Sequence, residues 1–291
     1  MIALPSAILS KIRLLQSVKV AAMEQTQHII SGLPGVRLIN AEYHNFAFPR
    51  HFHLEYHIGL LLRGQHRYVC QGERLQATVG DALLMAPEQI HDGASLTGEG
   101  YRIRVLALDP QRLEQASRSL SDERHGTPRL TSSSLRNVQL QRQLGVLHAS
   151  LVNGDSTLAQ ESNLLSMFAT LLALGSSLRI KEQDQGFDLR TWGRLREWME
   201  SRLDQPPSLE ELAAFCGLSP WQALRRFSRQ CGLPPHQWLT QLRLERALPR
   251  VLRGDSLSDI ALQLGFYDQA HFSRLFRRTY GLPPARLRSS S

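Results

Sequence analysis

The segment His51-Phe52-His53-Leu54-Glu55-Tyr56-His57 carries an imidazole or a carboxylate at every second position, and His91 follows after Gly80-Asp81 and Pro87. On an extended strand that alternation puts His51, His53, Glu55 and His57 on one face. Gathered imidazoles suit two kinds of chemistry. They can ligate zinc, iron or nickel, or they can hydrogen-bond a polar small molecule in a pocket that Tyr56, Tyr101 and Arg102 complete. A purely structural role is the third reading. Six of the 11 histidines lie between His44 and His91, so the concentration belongs to one part of the chain.

A second set of side chains is arginine. Only Lys11, Lys19 and Lys181 among the 34 basic residues are lysine. Against 26 acidic residues the net charge is +8, unevenly placed: residues 188–291 hold 16 arginines and 10 acidic residues, a net of +6, and the first 187 residues hold the other +2. A planar guanidinium pairs with guanine edges and with phosphates, so a polyanionic partner is expected for the C-terminal third. No apolar run approaches the ~20 residues of a membrane span. Cys70, Cys216 and Cys231 are odd in number and far apart, which argues against a disulfide scaffold and a CxxC metal site. The expected location is the cytoplasm, with no membrane partner and no cofactor.

The elements that must hold these side chains differ along the chain. Residues 1–35 read as an N-terminal tail, with Met23 an alternative start. Residues 36–130 read as a barrel domain: from Val36 to about Leu108 short apolar runs such as Ile58–Leu62 and Tyr68–Cys70 are punctuated by glycines, the texture of a small antiparallel barrel, and the texture changes after Asp109-Pro110. Residues 131–180 show two helical stripes, 135–151 and 158–178, which either pack on the barrel or form a dimer seam. Residues 181–189 read as a linker. The rest, 190–291, is helical, so the fold class is α+β with two domains.

The helical part repeats itself. Leu212 to Gly217 parallels Ile260 to Gly265 at an offset of 48; after one extra residue, Arg225 matches Arg274, Phe227 matches Phe276 and Gly232-Leu233-Pro234-Pro235 matches Gly281-Leu282-Pro283-Pro284. Each copy has an N-cap serine, a short apolar helix, a glycine turn and a second, arginine-rich helix, the parts of a helix-turn-helix. Sequence-specific binding of double-stranded DNA follows, with the second helix of each copy in the major groove. The expected DNA-facing residues are Trp221, Gln222, Leu224, Arg225, Arg226 and Arg229 in the first copy, and Gln269, His271, Arg274, Arg277 and Arg278 in the second. A helix over 236–253 joins the copies and sets the recognition helices one DNA turn, ~34 Å, apart. Pro249 lies inside it, where a proline kinks the rod.

These residues resemble the AraC-type (AraC/XylS) transcriptional regulators. The match runs from Ser208-Leu209-Glu210-Glu211-Leu212-Ala213 through Leu218-Ser219-Pro220-Trp221 and Arg243-Leu244-Glu245-Arg246-Ala247 to His271-Phe272-Ser273-Arg274-Leu275-Phe276-Arg277-Arg278. The resemblance implies two helix-turn-helix units joined by a long helix, and an effector-responsive regulator acting mostly as an activator through RNA polymerase; a homodimer through the helical pair stays one of the two readings of those stripes. The N-terminal part is similar to the cupin-like sensor barrels of that family. In cupin enzymes a His-x-His pair, a carboxylate and a distant histidine hold metal; His51, His53 and His91 match that pattern and His57 stands near the carboxylate. The resemblance therefore implies an effector pocket at His51, His53, Tyr56, His57, His91, Tyr101 and Arg102, and no catalytic residue. The rival reading is a metal-dependent cupin enzyme or metal sensor fused to a DNA-binding domain.

Overall fold

The computed structural model describes residues 24–121, 129–176, 178, 180 and 186–288. The expectations for the start at Met23 and for most of the linker fall outside them. The chain builds an N-terminal sheet domain and a C-terminal helical one. The strands are β1 (Gln25–Ile30), β2 (Val36–Tyr43), β3 (Phe48–His51), β4 (Tyr56–Cys70), β5 (Glu73–Thr78), β6 (Ala82–Met85), β7 (His91–Ser95) and β8 (Tyr101–Leu108). After α1 (Pro110–Leu120) come the short β9 (Ser134–Leu135), α2 (Val138–Val152) and α3 (Thr157–Gly175).

Period-two alternation explains why these strands read as nearly continuous apolar runs. In β2, β4, β6 and β8 one set of residues (Leu38, Ile58, Leu84, Leu106) enters the core shared with the helices. Their neighbours (Ile39, Leu61, Leu83, Ala107) enter a second core inside the barrel. Both faces are covered, so neither needs polar residues. The long β4 pairs with β8 and β6 along its first half and with β5 and β7 along its second, which closes the sheet on itself. The bend lies near the register shift between Leu61 and Arg63. Gly64 follows at φ 76, with Gly100 O only 2.1 Å from where a Cβ would stand. Only glycine fits that approach.

One expectation is corrected here. The N-terminal tail does not extend to residue 35, because Gln25–Ile30 pairs residue for residue with β2 as an edge strand. The change of texture after Asp109-Pro110 is a helix: Asp109 caps α1, with Pro110 at its first turn. Helix α3 buries most of its length (Leu158, Leu164, Met167, Phe168, Leu171 and Leu172) and keeps Ala173 and Leu174 exposed near its end. Helix α2 keeps an exposed stripe of Val138, Val146 and Val152.

The C-terminal domain runs α4 (Leu189–Glu200), α5 (Leu209–Cys216), α6 (Pro220–Cys231), α7 (Pro235–Leu252), α8 (Leu257–Gln263), α9 (Gln269–Tyr280) and α10 (Pro284–Arg288). Helix α7 continues through Pro249, which sits in its last turn and so does not break the rod. The two helix-turn-helix units have separate cores. Leu212, Leu224 and Phe227 pack in the core that also holds the sensor helices, while Ile260, Phe272 and Phe276 form a core with the far half of α7. Among the described residues no helix is long and apolar enough to cross a membrane.

Candidate DNA interface and effector pocket

Local sequence fixes each recognition helix before any packing is considered. Ser208 and Glu211 form a reciprocal capping box on α5, and Ser219 and Gln222 form another on α6. Asp268 caps α9 through the His271 amide. Such caps stabilise a helix start by about 1 kcal/mol each. Gly217 ends α5 at φ 64, as the glycine turn requires.

The arginines at equivalent positions, Arg225 on α6 and Arg274 on α9, are both exposed, as are Arg229, Arg277, Arg278 and Gln269. The Arg225 guanidinium lies 5.5 Å over the Trp221 ring, which aims it outward from the first turn. Arg226 is half-buried. One DNA-facing expectation is corrected: Leu224 is only 3 % exposed and packs in the core, so it has no route to a base edge. It lies one helical turn before Phe227 on the same face, and the residue type alone already favoured the core. Trp221 is 9 % exposed, and Gln222 has its side-chain oxygen engaged by the Ser219 amide.

The covering of Trp221 comes from the sensor. The Trp221 amide donates to Ser119 Oγ at the end of α1 (3.1 Å), and Ser219 Oγ donates to Ser119 O (3.3 Å). The second unit is treated the same way. His271, in the first turn of α9, places Nε2 3.5 Å from Asp155 Oδ1, and Gly154 meets the Tyr267 ring. Between them the Glu161 carboxylate of α3 accepts from the Leu209 amide at 2.8 Å, and burial raises its pKa. The sensor thus lies on the first turns of both recognition helices, where a helix-turn-helix contacts base edges. Sequence reasoning missed Ser119, Asp155 and Glu161, because contacts between segments 48 to 116 residues apart leave no local pattern.

In the barrel, a cavity of about 350 Å³ is lined by His51, His53, His57, His91 and Tyr101. The route differs from the expected single strand: residues 52–55 form a connection, and the histidines come from β3, the start of β4 and β7. Glu55 pairs with Arg37 rather than facing the cavity. Two lining expectations are corrected. Tyr56 points to the opposite face, into the core shared with the helices, and Arg102 alternates outward and is exposed. The sequence reading missed His28, Arg37, Tyr43 and His66, which line the cavity with Ile39, Leu83, Met85, Ile103 and Val105. Arg37 and Tyr43 alternate with Ile39 on β2, a signal the sequence held; His28 and His66 come from β1 and β4.

His53, His57, His66 and His91 are held neutral. Burial, with neighbouring imidazoles, lowers His53 to about 3; burial also lowers His57 and His66 to about 4, and lowers His91. His51 Nδ1 donates to Pro49 O and His91 Nδ1 to Gln89 O, and in neutral His91 this leaves the lone pair on Nε2. The His53 and His57 rings stack at 3.7 Å. Buried His57 Nε2 and His66 Nδ1 have no hydrogen-bond partner. One ligand nitrogen from each of His51, His53 and His91 falls within a 4.8 Å cluster.

Comparison with known proteins gives two matches along the chain. Residues 33–169 match the AraC-like ligand binding domain, and residues 212–290 match a helix-turn-helix domain. The HTH-type transcriptional activator RhaS of Escherichia fergusonii is 29% identical over 83% of this chain and 88% of its own length. The uncharacterized HTH-type transcriptional regulator YbfI of Bacillus subtilis is 26% identical over 77% of this chain and 81% of its own. The HTH-type transcriptional regulator MtrA of Neisseria gonorrhoeae is 32% identical over 50% and 54%. Among solved structures, an apo ToxT variant of Vibrio cholerae covers 88% of this chain and 98% of its own at 16% identity; its TM-score, 0.40, is too low to weigh on the reading.

Proposed function

Because this chain belongs to the AraC-type transcriptional regulators, we propose that its histidine-lined cavity receives a small-molecule effector whose binding frees both recognition helices from the sensor. The observation that carries this reading is the pair of contacts, Ser119 on α6 and Asp155 on α9, at the ends that must meet bases. A short physical link supports it. Strand β8 lines the cavity with Tyr101, Ile103 and Val105 and passes through Asp109 directly into α1, which ends on Ser119 and α6. An effector preferring one arrangement of β8 and α1 shifts the balance between covered and uncovered helices by its differential affinity alone.

The freed regulator acts as an activator, as the name of the RhaS relative has it, and on this reading it works in the cytoplasm by contacting RNA polymerase. Two copies pair through the Val138, Val146 and Val152 stripe of α2. Thermal-shift screening of the full chain against small polar metabolites is expected to find a compound that raises its melting temperature. The same compound is expected to raise run-off transcription from a template carrying a site selected with this chain, and the site to hold two copies of the tandem element. A stabilising compound that leaves transcription unchanged contradicts the reading.

One observation favours a second reading, a metal ion as the effector or its anchor. Metal-binding histidines are usually fixed by a second-shell hydrogen bond from the other ring nitrogen, as His51 and His91 are fixed by backbone carbonyls. Zinc or nickel added to chelator-treated protein is expected to bind at one equivalent, and to be lost in His91→Ala. A wild-type chain that binds neither ion yet responds to an organic effector rules this reading out.

A further inference from the structure

The repeat makes the two glycine turns look equivalent, yet they stand in different surroundings. A Cβ on Gly217 would meet nothing within 4 Å. A Cβ on Gly265, at φ 72, would stand 2.5 Å from Leu203 O, 2.7 Å from Asp204 O and 2.7 Å from Arg243 Nη2. The turn of the second unit is therefore pressed against the loop that follows α4, in the first unit. Between them lies the Arg243 guanidinium. Arg243 is 5 % exposed, and no other charged side chain among the described residues is as deeply buried. Its Nε donates to Leu203 O at 2.8 Å, its Nη2 donates to the same oxygen, and its Cζ lies 5.9 Å from the Phe266 ring. Leu203 itself packs against the cores of both units.

A buried guanidinium is expensive unless geometry compensates it, and here it ties three segments at one point: α7, the end of the first unit and the turn of the second. Burial lowers its pKa to about 10, and Asp204 opposes that shift, so the group stays cationic at neutral pH. Weaker ties flank it. Arg246 reaches Glu200 at the end of α4 (3.7 Å), and Tyr280 at the end of α9 donates to Glu245 (3.1 Å). The connector helix alone would leave the second unit free to roll, since the two cores are separate.

We infer that Arg243 is a positioning residue that locks the separation and angle of the two recognition helices, and thereby sets the spacing of the DNA elements the chain accepts. The inference rests on both helices reading one duplex. The experiment uses the full chain, a duplex selected with the wild-type protein, and a derivative with one base pair inserted between the two elements. One inserted pair shifts the second element by about 3.4 Å and turns it by roughly 35°. Wild type is expected to lose at least about 30-fold in affinity on insertion, at the cost of roughly one element's base contacts. Arg243→Met is expected to bind the parent duplex more weakly and to lose less than about fivefold on insertion. Equal weakening on both duplexes, with the ratio unchanged, would make Arg243 a stability residue only and overturn the inference. Should Arg243→Met fail to fold by circular dichroism, Arg243→Lys decides it: the ratio falls if the inference holds, and an unchanged ratio overturns it. A wild-type chain indifferent to the insertion overturns the rigid pair of reading helices on which the inference rests.

Discussion

Arg274→Ala is expected to lower affinity for the preferred duplex by about 1–3 kcal/mol, roughly fivefold to 150-fold, and to relax the base requirement at one position. Arg225→Ala is expected to do the same at a position about one helical turn of DNA away. The expectation rests on equivalence in the fold. Both arginines are exposed at matching places in capped helices, one turn in from the N-terminal end. Arg277 and Arg278 lie in the last turn of α9, the place for phosphate contacts, so their removal should weaken all sequences evenly and reduce the salt slope. Equal weakening of specific and random duplexes by Arg274→Ala would show that this arginine holds phosphate instead.

The second large effect concerns the seam. Glu161→Arg places a cation against the Leu209 amide, where the carboxylate now accepts a hydrogen bond at the start of α5. A cation at a helix N-terminus is disfavoured by the helix dipole, and the packed site leaves it little solvent. The sensor should then release the first unit. If only a small fraction of the chain has its recognition helices uncovered, releasing them raises apparent affinity by the inverse of that fraction, on the order of tenfold to a hundredfold. Band-shift titration without effector is expected to show this gain, and addition of effector to change little further. A variant that binds the effector normally yet shows unchanged or weaker DNA binding contradicts the covering role of the seam.

The tandem unit could be read from sequence because its determinants are local. Ser208 with Glu211, Gly217, Ser219-Pro220 and Asp268 are caps and turns that act over three or four residues, and each occupies its expected place. The barrel was visible through turn glycines and apolar runs. The histidines do gather around one cavity, though not from one strand; Tyr56 and Arg102 do not join them, because each adjoins a cavity residue on its strand, His57 and Tyr101, and so faces the other way. Helix α1 escaped notice because its apolar stripe is only Leu113, Ala116 and Leu120 among polar residues. The seam and the Arg243 lock were beyond reach for a different reason. Arg243 looks like one more basic residue in a basic domain until the chain brings Leu203 and Gly265 to it, 40 residues before it and 22 after.

The claim that two equivalent helices read adjacent stretches of one major-groove face is tested most directly by methylation interference at guanine N7, the atom an arginine fork engages. With the full wild-type chain and its selected duplex, two groups of interfering guanines are expected, centred about 10 base pairs apart. Arg225→Ala is expected to erase one group and Arg274→Ala the other. A single group, or two groups that both survive either substitution, would contradict the account.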